Sequence, residues 1–441
     1  MKLRRSTYIF LLWAIVFCLF VTACAQPEIR QIPAPVASSE PVADAEKLTS
    51  KSKMTGEFFA TWSQLRLYDD FSKADNVLRF ERVWQELKDM LSEIEQAVSV
   101  SVETSDVARF NALAYGEKME ISPHTAAILL AAKEGYEKSG GMFNPAAYPL
   151  VDLWGFTPRF TSAAYAPLYA YDRERDAQGL PLPEERYIDA FTKLADFDGI
   201  LLSWDAETGY TLQKMVPPVT VDGIAYEAEI DLGGIAKGYA VDVVMELLAR
   251  NGYEYGLFSC GSSSMGLMKS ASPKSVENGT QRYEVHIRHP RSDNRNDAYL
   301  SVAQKDARLS TSGDYDNSYL LGDVRYAHII NPVTGYPMNT AHVEDGQKGI
   351  ATATVLGENA TVCEVLSTAL CAMEPKQAIR FINEQLRAYS VALVLYDTNS
   401  PTFEFVTNML PESYRLQDEA FLSANSLDGD GNIVYEGRLF E

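Results

Sequence analysis

Three groups of residues in this sequence have the types and spacing to do chemistry. Lys237 lies in Glu229-Ile-Asp-Leu-Gly-Gly-Ile-Ala-Lys-Gly-Tyr-Ala-Val-Asp242, where Gly233 and Gly234 precede a helical pattern of apolar residues. Bare glycine backbone, the free N–H groups of a helix start and a lysine together make a cradle for phosphate. An ordinary strand-turn-helix whose glycines only make the bend fits this stretch equally well. Glu364 and Thr368 stand at i and i+4 of a second predicted helix, so their oxygens share a face and suit a hard cation such as Mg²⁺. The same pair would also sit idle on a surface helix. His328 precedes Ile-Ile-Asn-Pro and, with an ordinary pKa near 6.5, could take up a proton at neutral pH. A lone histidine is more often a structural hydrogen-bonding group.

Periodicity predicts the elements that carry these groups. Ala228, Ile230 and Leu232 alternate as on a half-buried strand, Gly233-Gly234 makes the turn, and Ala236, Ala240, Val243, Val244, Leu247 and Leu248 recur at helical spacing up to Asn251-Gly252. A helix over 360–373 is capped by Asn359 and buries Val362, Val365, Leu366, Ala369 and Leu370. Tyr326 opens a strand that carries His328 into a Pro/Gly turn. Upstream, a strand pattern starts at Phe58, and Trp84, Leu87, Leu91, Ile94 and Val98 mark one helix face. Ser122-Pro123 starts another helix, which Gly140-Gly141 stops. Strands follow around 199–204, 210–214, 255–259, 283–287 and 299–303. Residues 159–183, rich in Tyr, Ala and Pro, read as an insertion loop.

The first residues give an address. Lys2, Arg4 and Arg5 precede an apolar run from Tyr8 to Val21 and the small residues before Cys24, the pattern of an export signal over 1–23. Val21-Thr-Ala-Cys24 resembles the bacterial lipobox, which implies cleavage before Cys24 and lipid on its sulfur. Residues 24–53, with four prolines and no apolar period, read as a disordered tether, and 54–441 as the folded body. These features place the body on the extracytoplasmic side of a bacterial membrane. Loss of the signal would move the formal charge from −21 to −24, which argues against nucleic acid as a partner. The five histidines show no zinc-type spacing, so no transition metal is expected. Cys260, Cys363 and Cys371 remain in the body; buried free thiols are the commoner reading, with a bridge from Cys260 to either of the others as the alternative.

In this order the segments resemble the ApbE-type flavin transferase family, over roughly residues 54–390. The resemblance is carried by Ser105-Asp-Val-Ala-Arg-Phe-Asn111, Gly140-Gly-Met-Phe-Asn-Pro145 with Leu153-Trp-Gly-Phe156, Asp231-Leu-Gly-Gly-Ile-Ala-Lys-Gly238, Thr311-Ser-Gly-Asp-Tyr315 and His328-Ile-Ile-Asn-Pro-Val-Thr-Gly335. It implies an α+β fold of mixed and antiparallel sheets with packed helices, in two interleaved subdomains that form an FAD cleft. It implies Mg²⁺-dependent transfer of FMN from FAD to a threonine hydroxyl of an acceptor protein, with release of AMP. Mg²⁺ would be held by the Ala236 carbonyl, Glu364 and Thr368, and the flavin nucleotide by Met54, Phe143, Asn144, Gly233, Gly234, Lys237 and Ile330. His328 would be the general base and Lys237 a second catalytic group. Glu364 stands where the family has Asp, a side chain longer by about 1.5 Å, and Met54-Thr-Gly replaces Met-Gly-Thr. Two other activities suit the same residues: hydrolysis of FAD to FMN and AMP, and flavin binding without turnover by a lipoprotein.

Overall fold

The computed structural model describes residues 48–157, 182–340 and 347–439. The expected signal, Cys24, most of the tether and residues 159–181 of the insertion lie outside the described residues.

Nine strands form one sheet, and we number them in chain order. They are β1 (Thr49–Phe58), β2 (Thr61–Asp69), β3 (Gly256–Cys260), β4 (Ser264–Leu267), β5 (Ala307–Gly313), β6 (Lys348–Gly357), β7 (Ser390–Asp397), β8 (Phe403–Thr407) and β9 (Phe421–Ser423). Their order across the sheet is their order in the chain. Neighbours are antiparallel except β8 and β9, which run parallel. Alternation along β7 puts Val391, Leu393 and Leu395 into one core and Ala392, Val394 and Tyr396 into another, so the sheet is covered on both faces. On the first face pack helices α1 (Ala74–Val98), α2 (Pro123–Lys138), α3 (Gly233–Arg250) and α4 (Ala360–Ala372). The other face carries a three-stranded sheet of 283–288, 298–304 and 414–416. Between β2 and β3 the chain builds a separate sheet from Lys118–Glu120, Ile200–Asp205 and Gly209–Lys214.

The folded body starts earlier than expected. Strand β1 begins at Thr49, inside the stretch read as tether, and pairs with β2 from Thr49↔Asp69 onward. It is an edge strand whose lysines are spent on neighbours: Lys53 on Glu81, and Lys51 over the Phe71 ring at 5.6 Å. A charged edge strand buries too little to show an apolar period. The predicted strand over Ala228–Leu232 is not one. Its backbone is held instead by the Asn111 side chain, which donates to the Ile230 carbonyl at 2.9 Å and accepts from the Ile230 N–H at 2.8 Å. The alternating burial is real, because Ala228, Ile230 and Leu232 are all fully buried, but one side chain replaces a ladder.

Helices α3 and α4 are clamped together. Asn359 caps α4 as expected, accepting from the Val362 N–H at 2.8 Å. A second cap comes from α3: Asp242 accepts from the N–H groups of Ala360 at 2.9 Å and Thr361 at 2.8 Å, and from the Thr361 hydroxyl at 2.6 Å. A carboxylate there also meets the positive end of the α4 dipole. Asp242→Ala should therefore lower stability by about 2 kcal/mol, more than a single exposed cap, because several buried donors lose their acceptor. A urea midpoint equal to that of the unsubstituted protein would contradict this clamp.

Candidate active site

Motifs more than a hundred residues apart converge on a cleft of about 400 Å³. Its walls include Phe143 and Tyr148, Gly233, Gly234 and Lys237 at the start of α3, Ser312 at the end of β5, His328 and Ile330, and Glu364 and Thr368 of α4. The glycine pair does not make a turn, as the sequence suggested; Gly233 and Gly234 are the first two residues of α3. The N-cap residue Leu232 offers no side-chain bond, and Asp231 supplies it instead, accepting from the Gly233 N–H at 2.9 Å. Burial pushes the Asp231 carboxyl up, opposed by that N–H and by Lys237. At Gly234 a Cβ would come within 3.4 Å of the Phe143 ring and 3.8 Å of Thr368 Oγ1. Glycine keeps this part of the helix start open to the cleft.

Lys237 folds back over the first turn. Its Nζ donates to the Gly233 carbonyl at 2.8 Å and pairs with Glu364 Oε1 at 2.8 Å. Burial alone would push the ammonium pKa down, but Glu364 outweighs it and the net direction is up. The other carboxylate oxygen of Glu364 accepts from the Gly238 N–H at 2.5 Å. Glu364 is 3 % exposed, so it is not the idle residue of a surface helix. Helix α4 is in fact buried almost all round, since α3 and the sheet both pack on it. Beside Glu364, Thr368 Oγ1 lies 3.2 Å from Ser312 Oγ, which also bonds Ser367 at 2.8 Å. Ser312 belongs to the Thr311–Tyr315 stretch but was not among the expected site residues. A serine in a strand gives no periodic signal, and only the strand's register points it at α4.

His328 enters from the loop after residues 324–327, its backbone N–H on the Asn317 carbonyl at 3.2 Å. Its Nδ1 is buried and makes no hydrogen bond among the described residues. Burial, and then the nearby Lys237 charge, push its pKa down to about 4. The imidazole is thus neutral at pH 7, not poised near 6.5 as the sequence alone suggested.

Phe143, Gly233, Gly234, Lys237, Ile330, Glu364, Thr368 and His328 are brought together. Asn144 borders the cleft, but its side chain is engaged elsewhere, donating to the Ala195 carbonyl at 2.8 Å and accepting from the Ala146 N–H at 2.9 Å. It braces the wall. Met54 does not join them: it stands 60 % exposed on edge strand β1 and is not in the cleft wall. Ala236 does not join them either: it is buried and is not in the cleft wall. Among the described residues no three His, Cys, Asp or Glu side chains gather as a metal cluster. The Glu364 oxygens are bonded by Lys237 Nζ and the Gly238 N–H, and the neighbouring groups able to ligate a metal are the hydroxyls of Thr368 and Ser312. Such a lean oxygen set suits Mg²⁺, which keeps water and substrate phosphates among its ligands. Cys260, Cys363 and Cys371 are buried free thiols, without the alternative bridge.

The sequence profile of the ApbE family matches residues 59–392, a span that contains every cleft residue named above. The chain belongs to the ApbE family. A Vibrio cholerae relative called FAD:protein FMN transferase is 26% identical over 337 residues, covering 75% of this chain and 84% of its own. A Treponema pallidum protein of the same name is 27% identical over 325 residues, 74% of this chain and 79% of its own. Among solved structures, the flavin transferase ApbE from Vibrio cholerae superposes with a TM-score of 0.59 at 22% identity, over 80% of this chain and 98% of that one. The apo Pseudomonas stutzeri flavinyl transferase ApbE gives 0.60 at 22% identity, over 82% and 94%. These likenesses establish the ApbE fold, and the α+β architecture of mixed and antiparallel sheets with packed helices expected from sequence is the one observed.

Proposed function

We propose that this ApbE-family chain is an FAD:protein FMN transferase, a reading carried by the convergence of the α3 start, His328 and the Glu364/Thr368 pair on one cleft. The acceptor is a threonine hydroxyl of an exported or membrane protein. Its oxygen attacks the phosphorus of the FMN half of FAD, the P–O–P bond breaks, and AMP leaves with the bridging oxygen. The proton of the hydroxyl passes to His328, whose neutral ring and unpartnered Nδ1 supply an acceptor. Lys237 and the positive end of the α3 dipole neutralise the diphosphate, and a glycine backbone lets it approach. Glu364 and Thr368, with the Ala236 carbonyl, would hold Mg²⁺, which supplies further charge neutralisation on the phosphates. Export and lipid attachment at Cys24 put this chemistry at the outer side of a bacterial membrane.

Incubation of the purified protein with FAD, Mg²⁺ and an acceptor protein should release AMP and add an FMN-sized mass at one acceptor threonine. Free FMN with unmodified acceptor would replace this reading by FAD hydrolysis. Retained FAD without AMP would replace it by flavin binding without turnover.

A further inference from the structure

A second cavity, of about 490 Å³, shares no lining residue with the cleft. It lies where β2 meets the three-stranded sheet on the face opposite the helices. Leu65 and Leu67 point into the helix-side core, so strand alternation turns Arg66 and Tyr68 to the other face, where Tyr283 and Tyr414 pack. Arg66, Lys274, Arg282 and Arg415 face this cavity against two carboxylates, Glu284 and Glu412. Glu284 is used up by Arg415 at 2.9 Å and Lys274 at 3.6 Å. Arg66 and Arg282 have neither an ion pair nor a side-chain hydrogen bond among the described residues. The Tyr283 hydroxyl oxygen is also buried with no partner in hydrogen-bonding geometry, the Ser270 side chain being its neighbour in the cavity wall. Folded proteins seldom leave a buried hydroxyl unpaired. Here one is left beside an unneutralised guanidinium, in a protein whose formal charge is −21. A hydroxyl donor next to a guanidinium fork is the donor set that recognises phosphate oxygens.

We infer that this cavity is a binding site for a small phosphate-bearing anion, held by Arg66, Arg282 and the Tyr283 hydroxyl. The site is independent of the proposed flavin chemistry. The direct test is titration of the whole protein with inorganic phosphate by calorimetry, at low and high NaCl. One saturable event is expected, weakened by salt, and weaker by about tenfold in Arg66→Gln, the loss of a hydrogen bond to a charged group. Tyr283→Phe keeps the ring and should also weaken binding. Arg66→Gln removes no ion pair or side-chain hydrogen bond of the described residues and Tyr283→Phe keeps the ring packed on its core, so both variants should fold. Lys237→Gln separates the two sites: it must leave this event intact, because Lys237 lies only in the cleft. No saturable binding, or binding unchanged in Arg66→Gln and Tyr283→Phe, would overturn the assignment. Binding abolished by Lys237→Gln would move the phosphate to the cleft and overturn it as well.

Discussion

Gly238→Ala is expected to cost the protein about 3–5 kcal/mol of stability and most of its flavin-transfer activity at once. In an ordinary helix interior the same change would stabilise by about 1 kcal/mol, because alanine is the better helix former. Here the sign reverses. A Cβ on Gly238 would lie 2.4 Å from the Ala360 carbonyl oxygen and 2.9 Å from the Thr361 Cα, both backbone atoms that no rotamer change can move aside. Helices α3 and α4 would have to separate at the point where Asp242 clamps them, since that carboxylate holds the N–H groups of the same two residues. Separation also stretches the 2.5 Å bond from the Gly238 N–H to Glu364 and draws the carboxylate away from Lys237. Stability and chemistry fail together because one close approach sets both. Urea denaturation followed by AMP release in the same preparation measures the two effects. A variant with the parental midpoint would mean that α4 can slide without loss, and the clamp would not be what positions Glu364.

This coupling also explains what the sequence could and could not reveal. Lys237 and Glu364 were legible because charged types stand out among apolar neighbours at regular helical spacing, and His328 because it precedes the Ile-Ile-Asn-Pro turn. Helix α1 was legible for the same reason: Leu87, Leu91, Ile94 and Val98 recur at helical spacing and all are buried. Contacts that bridge distant segments were not. Asn111 substituting for a strand neighbour of Ile230 leaves a sequence that alternates like a strand. Nothing in the spacing of Asp242 sets it apart within α3, whereas its carboxylate works on a helix more than a hundred residues away. Strand β1 was hidden by its lysines, which cover Phe71, Phe80 and Trp84 with their stems and charges. Met54 was placed in the site by motif position, but the register of β1 on β2 leaves it exposed at the sheet edge. The one-sided pattern assigned to α4 failed because a helix covered on most sides needs apolar or internally bonded residues all round.

His328→Ala should lower the rate of FMN transfer by about 10²–10⁴, the range for loss of a general base, while FAD still binds. The pH profile of the unsubstituted protein carries the more specific signature. With a pKa near 4, His328 stays neutral and able to accept a proton from pH 7 down to about 5, so the acid limb of kcat/KM belongs near 4. An ordinary imidazole would put that limb at about 6.5. Stability moves in the same direction and has to be followed separately. The folded-state pKa lies below the unfolded value, so the stability this group supports is complete above about pH 6.5 and is lost as pH falls through about 4. Rates and circular dichroism taken in the same buffers distinguish lost base from lost fold. An acid limb at 6.5 with intact ellipticity would place His328 in water, contrary to its buried Nδ1. Transfer unaffected by His328→Ala would leave the Lys237 cradle and the metal as the whole of catalysis, with the hydroxyl proton leaving through solvent.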